Sequence, residues 1–299
     1  MADGDPLEFI RTGIRCFDGA TGTQLFRYGL KSGACPDAAD EEMIRRVHRD
    51  YLSSGAQFVT TNTFGASRTK LAKYRMGDAV RELNIRNARL ARGLQEEPYF
   101  VAGDIGPTGE LIEPYGELAY DDFFRIFREQ AEALAEGAVD LIIIETMLSA
   151  EEVRAAIQAA KLHTALPVIA CMTFDQTPHG FVTTMGVQVE TAVQVMEEAG
   201  ADVIGTNCTL DPTQMPALVR EFKRYTQKPL LAQPNAGTPR LVNFQTHYEP
   251  VENLETHLEE LIKAGAQVIG GCCGTDPPYI VRLRKVIDRA NERRTAHLQ

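Results

Sequence analysis

The sequence has no long apolar run. Its longest purely aliphatic stretch is Leu141 to Ile144, far short of the ~20 residues that span a bilayer. Residues 1–10 (MADGDPLEFI) are acidic and hold no basic segment followed by an apolar one, so they do not read as a secretory leader. A basic excess is missing too. The 31 Lys and Arg stand against 41 Asp and Glu, a net charge of −10, which argues against a general binder of nucleic acid or anionic membrane. The six cysteines are too sparse for a small disulfide scaffold, and no low-complexity linker divides the chain. The expectation is a cytoplasmic protein with no membrane or nucleic-acid partner.

What is present is a repeated unit. A helix-like segment, a Gly-Ala pair and a short β-branched run recur at Gly55-Ala56, Gly137-Ala138, Gly200-Ala201 and Gly265-Ala266. Each glycine is expected at a helix end in the left-handed conformation, and each following run reads as a buried strand. Val189, Val193 and Met196 share a helical face, as do Leu254, Leu258, Leu261 and Ile262. Pro250 and Asn253 serve as start signals for the second of these helices.

Completing the pattern gives eight strands: Ile14–Phe17, Phe58–Thr61, Tyr99–Gly103, Leu141–Ile144, Val168–Thr173, Val203–Thr206, Leu230–Gln233 and Val268–Gly270. Alternating strands and helices predict a parallel sheet. Eight units, with no Gly-rich dinucleotide fingerprint after the first strand, predict an α/β fold of the (β/α)8 TIM-barrel type. The expected organisation is one domain over residues 1–299, with 1–12 and 291–299 peripheral and Gly29–Asp40 a long loop at the mouth.

In such a barrel the chemistry sits where strands exit. Those positions carry Asp18-Gly19-Ala20, Asn62, Asp104, Glu145-Thr146, Asp175, Asn207-Cys208, Asn235 and Gly271-Cys272-Cys273-Gly274. Each Asp or Asn taken alone could simply cap the next helix. The cysteines are more specific. Cys208 follows the sixth strand and Cys272-Cys273 the eighth, and alternate strands feed one layer of a barrel. Adjacent residues of a regular strand face opposite ways, so the pair can share a ligand sphere only where the chain bends, and Gly270, Gly271 and Gly274 permit that. Three thiolates with an open fourth position fit a catalytic Zn2+ site. Buried metal-free cysteines, or a strained disulfide between the neighbours, are the alternatives. A metal in such a site suits a substrate thiol, whose free pKa of about 8.5 leaves little thiolate at neutral pH.

Four motifs resemble a known family: Asp18-Gly19-Ala20-Thr21-Gly22-Thr23, Thr61-Asn62-Thr63-Phe64-Gly65-Ala66-Ser67, Gly103-Asp104-Ile105-Gly106-Pro107-Thr108-Gly109 and Gly270-Gly271-Cys272-Cys273-Gly274-Thr275. They are similar to the homocysteine-binding domain of cobalamin-dependent methionine synthase, in a family that includes betaine– and S-methylmethionine–homocysteine methyltransferases. The resemblance implies zinc on Cys208, Cys272 and Cys273. It places the amino-acid part of homocysteine near Asp18, the Gly19 and Ala20 amides and Glu145, with Asn235 a further candidate. A salt bridge from Glu145 to a rim Arg or Lys is the bland alternative. The implied activity is methylation of homocysteine to methionine.

The second and third motifs are closer to the cobalamin branch than to the betaine branch, so methylcobalamin on a separate domain or corrinoid protein is the expected donor, not bound by this chain alone. The chain stops where the full synthase continues, and the expectation is either an excised fragment or, preferred, a free-standing methyltransferase working with a separate methyl-corrinoid protein. S-methylmethionine, betaine, another small thiol, or a non-catalytic module presenting thiol or zinc to a partner are the other possibilities. Cys16 and Cys171 are expected in the core, Cys35 in the loop, and His48 and His257 on helix surfaces. His163, His179 and His297 show no ligand pairing, while His247, with Tyr248, lies close enough in sequence to reach the pocket.

Overall fold

The computed structural model describes residues 4–30, 39–94, 98–242 and 245–296. Cys35, most of the loop expected over Gly29–Asp40, and His297 lie outside the described residues. Eight parallel strands form one sheet: β1 (Arg15–Cys16), β2 (Phe58–Thr60), β3 (Phe100–Ile105), β4 (Leu141–Met147), β5 (Val168–Met172), β6 (Val203–Asn207), β7 (Leu230–Gln233) and β8 (Ala266–Ile269). Their spatial order is β1-β8-β7-β6-β5-β4-β3-β2. The seam between β1 and β2 is stitched by Gln57, whose N–H donates to Cys16 O (2.8 Å) and whose Oε1 accepts from Cys16 N (3.0 Å). This is the predicted TIM-barrel α/β fold.

One long helix follows each strand: Glu41–Ser53, Val80–Arg92, Tyr120–Glu136, Ala150–His163, Val189–Ala199, Met215–Lys223, Leu254–Ala264 and Pro277–Ala296. Local chemistry starts them. Asp40 accepts from Met43 N (2.7 Å) and Ser149 from Glu152 N (3.4 Å), each satisfying an otherwise orphan first-turn donor. Asn253 does stand at the start of its helix, but with φ 51° and no side-chain cap.

Gly55, Gly200 and Gly265 take the expected positive φ, whereas Gly137 does not; there Ala138 carries φ 65°. Gly137 answers to packing instead. A Cβ on it would lie 2.4 Å from the Ala88 methyl, so glycine lets two neighbouring helices touch.

Alternation along the strands divides the core into two layers. Phe100, Ala102, Leu141, Ile143, Ile169, Cys171, Val203, Leu231 and Val268 fill the barrel interior. Val101, Ile105, Ile142, Ile144, Ala170, Ile204 and Ile269 face the helices. Cys16 and Cys171 are both fully buried, as expected.

Three sequence expectations are corrected. Within residues 1–12, the described part from Gly4 to Thr12 is not peripheral. Asp5 caps a helix, Pro6–Arg11, that plugs the base of the barrel. Ile10 is fully buried, and Phe9 packs 5.3 Å from Phe100 and 5.9 Å from Phe58. At the other end Asn291 is anchored by paired hydrogen bonds with the Ile14 backbone (2.9 and 3.0 Å).

His48 is not a surface residue either. It lies on the stripe Ile44, Val47, His48, Tyr51, is fully buried, and burial lowers its pKa to about 4, so it packs as a neutral ring. His257 remains partly exposed.

Two hairpins decorate the rim, Asp175–Thr177 with Gly180–Val182 and Pro239–Val242 with Gln245–Tyr248. Their strands are short and largely polar, so no apolar run announces them. Among the described residues no helix is long and apolar enough to cross a membrane.

Candidate metal centre and its pocket

β6 ends at Asn207, and the next two residues turn sharply. Cys208 and Thr209 both have positive φ, 64° and 57°, each at a cost of about 1–2 kcal/mol for a residue with a Cβ. The turn is pinned by Cys208 N to Gln233 O (3.0 Å) and Leu210 N to Cys208 O (2.7 Å). After β8 the chain leaves the sheet through Gly270 and Gly271. Cys272 N donates to Pro234 O (2.8 Å), Ala236 N donates to Cys273 O (3.0 Å), and Gly274 closes the turn at φ 83°. The adjacent cysteines are therefore outside any strand, where side-chain alternation no longer separates them.

The result is a cluster. The Sγ atoms of Cys208, Cys272 and Cys273 all lie within 4.8 Å of one another, and Cys208 and Cys273 are 3.8 Å apart. All three are free thiols. Zinc–sulfur bonds of ~2.3 Å at tetrahedral angles set sulfurs ~3.8 Å apart. The donor set and its spacing fit zinc.

Without a cation the three thiols cannot all ionise. Hydrogen bonds from Cys208 and then Cys272 hold Cys273 down at about 3, while hydrogen bonding to Cys208 and Cys273, with burial, drives Cys272 upward. A divalent ion resolves that conflict.

The cluster lines a cavity of about 510 Å³ that also receives Asp18, Asp104 and Glu145. The inward phase of the strands explains two of these acids. Phe100 and Ala102 precede Asp104, and Leu141 and Ile143 precede Glu145, each two residues apart. Asn207 and Gln233 continue the same phase on β6 and β7. The barrel interior thus changes from apolar to acidic near its C-terminal end.

Asp18 accepts from Thr60 N (2.7 Å) and Thr60 Oγ1 (3.0 Å), so it also ties β1 to β2. The Glu145 carboxylate accepts from Asn207 Nδ2 (3.4 Å). The charges acting on Glu145 include Asp18 and Cys273, both acidic groups, and among the described residues no Arg or Lys makes the rim salt bridge.

Burial raises Asp18 to about 7, against the pull of the Thr60 hydrogen bonds, and raises Glu145 to about 8, with Asp18 and then Cys273 adding to it. Burial, then Glu145 and Asp18, also lifts Asp104. Carboxylates whose folded pKa exceeds the unfolded one keep their protons longer in the folded state. Their contribution to stability is fully present below about 4 and is lost as pH rises towards about 8. The metal-free chain is expected to melt at progressively lower temperature from pH 5 to pH 8 in calorimetry, and Glu145→Gln should flatten that trend.

Residues 15–287 match the family described as Homocysteine S-methyltransferase. The chain belongs to that family of enzymes. It is 29% identical over 315 residues to Methionine synthase of Mycobacterium leprae, covering 97% of this chain and 26% of that protein. The corresponding Mycobacterium tuberculosis protein is 29% identical over 305 residues, covering 94% and 25%. The chain spans about a quarter of the length of these relatives. The metallated form of the Homocysteine Methyltransferase MmuM from Escherichia coli superposes with a TM-score of 0.78 at 24% identity, over 94% of this chain and 98% of that one. Its oxidized form gives 0.75 at 25% identity, over 91% and 95%.

The predicted site residues fall into three groups. Cys208, Cys272, Cys273, Asp18 and Glu145 come together, with Gly19 and Ala20 beside them. Ala20 N, however, already donates to Thr275 Oγ1 (3.1 Å), so of the two predicted amides Gly19 is the one left for a ligand. Asn235 does not line the cavity. Its N–H goes to Leu210 O (2.9 Å), and Gln233, two residues earlier, takes the lining position.

His247 is exposed on its hairpin and away from the lining, and no histidine joins the sulfur cluster among the described residues. The sequence argument named Asp104 and Asn207 among the strand-exit residues but gave neither a role in the site. Counting the inward phase two residues past Ala102 and Gly205 reaches both.

Asn207 is central. Its Oδ1 accepts from Thr146 N (2.8 Å), and its Nδ2 reaches Thr146 Oγ1 (2.8 Å), Glu145 and Cys272 Sγ (3.9 Å).

Proposed function

We propose that this chain binds zinc through Cys208, Cys272 and Cys273 and methylates homocysteine to methionine, with methylcobalamin on a separate domain or corrinoid protein as donor. The observation that carries the proposal is the three-sulfur cluster opening into an acid-lined cavity. Bound there, zinc supplies the Lewis acidity that lets a substrate thiol lose its proton at neutral pH.

The chain's own residues then divide the work. Glu145, Asp104 and Asp18 provide anionic oxygens for the substrate ammonium, and an ammonium would in turn allow them to ionise despite burial. Gly19 N–H is the donor for the substrate carboxylate. Asn207 keeps Glu145 and Cys272 in register, so amino group and sulfur are positioned by one connected network. The reaction forms one S–CH3 bond, breaks the donor's bond to the methyl group, and releases the thiol proton to solvent. The methyl arrives from the open side of the cavity, past Phe64, Lys70 and Tyr74. The resemblance of the motifs at residues 61–67 and 103–109 to the cobalamin-dependent branch supports a corrinoid donor over a small one.

Zinc-loaded protein and homocysteine should give methionine with methylcobalamin or a methyl-corrinoid protein, and much less with S-methylmethionine or betaine, by mass spectrometry. Turnover with S-methylmethionine alone would replace the donor assignment. Stoichiometric zinc with no methionine from any donor would make the chain a thiol-presenting module.

A further inference from the structure

The hairpin of Pro239–Val242 and Gln245–Tyr248 brings a tyrosine onto the metal loop. Its strands pair Pro239 with Tyr248, and Glu249 N closes the base on Thr238 O (3.1 Å). Just before the hairpin, Ala236 N holds Cys273 O (3.0 Å), so hairpin and cysteine turn are one unit.

The Tyr248 ring lies against Gly274. A Cβ there would fall 2.3 Å from ring atoms Cγ and Cδ2, and the backbone at φ 83° disfavours a side chain as well. Only glycine admits the ring at that distance. From this seat the ring stands one residue along the chain from Cys273, on the loop that carries its thiol.

We propose that Tyr248 is a positioning residue of the centre: its phenolic O–H donates to Cys273 Sγ from outside the ligand set and fixes that sulfur in the cluster. The need for such a donor follows from charge. Three thiolates around a divalent ion leave one net negative charge, a substrate thiolate adds another, and the nearby ionisable side chains include Asp18 and Glu145. Hydrogen bonds that draw charge from the ligand sulfurs offset that accumulation. Cys272 has Asn207 Nδ2 for the purpose (3.9 Å), and Tyr248 supplies the equivalent for Cys273 from a different element. The hairpin therefore acts as a strap whose last residue reports to the metal loop.

This inference rests on the zinc assignment above, and zinc content of the unaltered chain tests that assignment separately. Tyr248→Phe keeps the ring on Gly274 and removes only the hydroxyl. Zinc should pass to a chromophoric chelator about 10- to 100-fold more readily than from the unaltered chain. The sulfur-to-metal charge-transfer band of the cobalt(II)-loaded protein should shift, and the homocysteine KM should rise with kcat changed less. Tyr248→Leu, which also loses the ring, should release zinc faster still.

Unchanged chelator transfer and an unchanged cobalt spectrum in Tyr248→Phe, with one zinc in the unaltered chain, would overturn the role of Tyr248 alone. An unaltered chain that takes up no zinc would overturn both proposals.

Discussion

Cys208→Ser is expected to lose its zinc and to slow methyl transfer by at least about a hundredfold. Thiolate character sets part of that figure. A free thiol of pKa about 8.5 is only ~3% ionised at pH 7, so ionisation alone accounts for about 30-fold. Loss of the fixed position of the sulfur adds more. Changing an outer hydrogen-bond partner of a metal ligand typically costs 10- to 100-fold in affinity, so removing a ligand should cost more.

Serine is the fair replacement because it has the same backbone needs as cysteine at φ 64° and nearly the same volume. The substitution should leave the circular dichroism spectrum intact while elemental analysis shows metal lost. A Cys208→Ser protein that retained one zinc and its turnover would remove that residue from the ligand set, and with it the meaning of the 3.8 Å approach to Cys273.

Glu145→Gln is expected to separate substrate binding from the chemistry. The change removes a charge and keeps the shape, so an amide can still meet Asn207. Breaking a buried charge pair costs about 2–5 kcal/mol. Asp18 and Asp104 remain to share the ammonium, which points to the lower end, about 2 kcal/mol or roughly 30-fold in the homocysteine KM. Turnover at saturation should change much less, because the sulfur and its three ligands are untouched.

The free protein should meanwhile gain stability at pH 8, since burial already pushes Glu145 up to about 8. Opposite signs for binding and stability are the distinctive signature of a group kept for a ligand. A mercapto acid lacking the amino group should be indifferent to the change. Equal losses for both substrates would refute the ammonium contact.

Much of this was legible in the sequence because the barrel repeats one local rule. Buried strands are apolar on both faces, so each shows as a short dense run, and Leu230–Gln233 was read to the residue. The cysteines could be read for a related reason: thiols are rare, and an adjacent pair flanked by glycines has few structural uses. His48 shows the limit. Its place in the stripe from Ile44 to Tyr51 was visible, but a polar label outweighed its spacing. The N-terminal helix shows another, since nothing local says that Ile10 meets the underside of the strands. The hairpins escaped notice because exposed strands need no apolar run.

The sequence by itself determined the (β/α)8 frame, the inward phase of each strand and the identity of the three thiols, since these depend on periodicity and residue chemistry within a few neighbours. Only the tertiary structure decided that Cys208 and Cys273 stand 3.8 Å apart, that Asp18, Asp104 and Glu145 share one cavity, and that Tyr248 rests on Gly274. Those distances join residues as far as 255 positions apart, from Asp18 to Cys273, and closure of the barrel, not local preference, sets them.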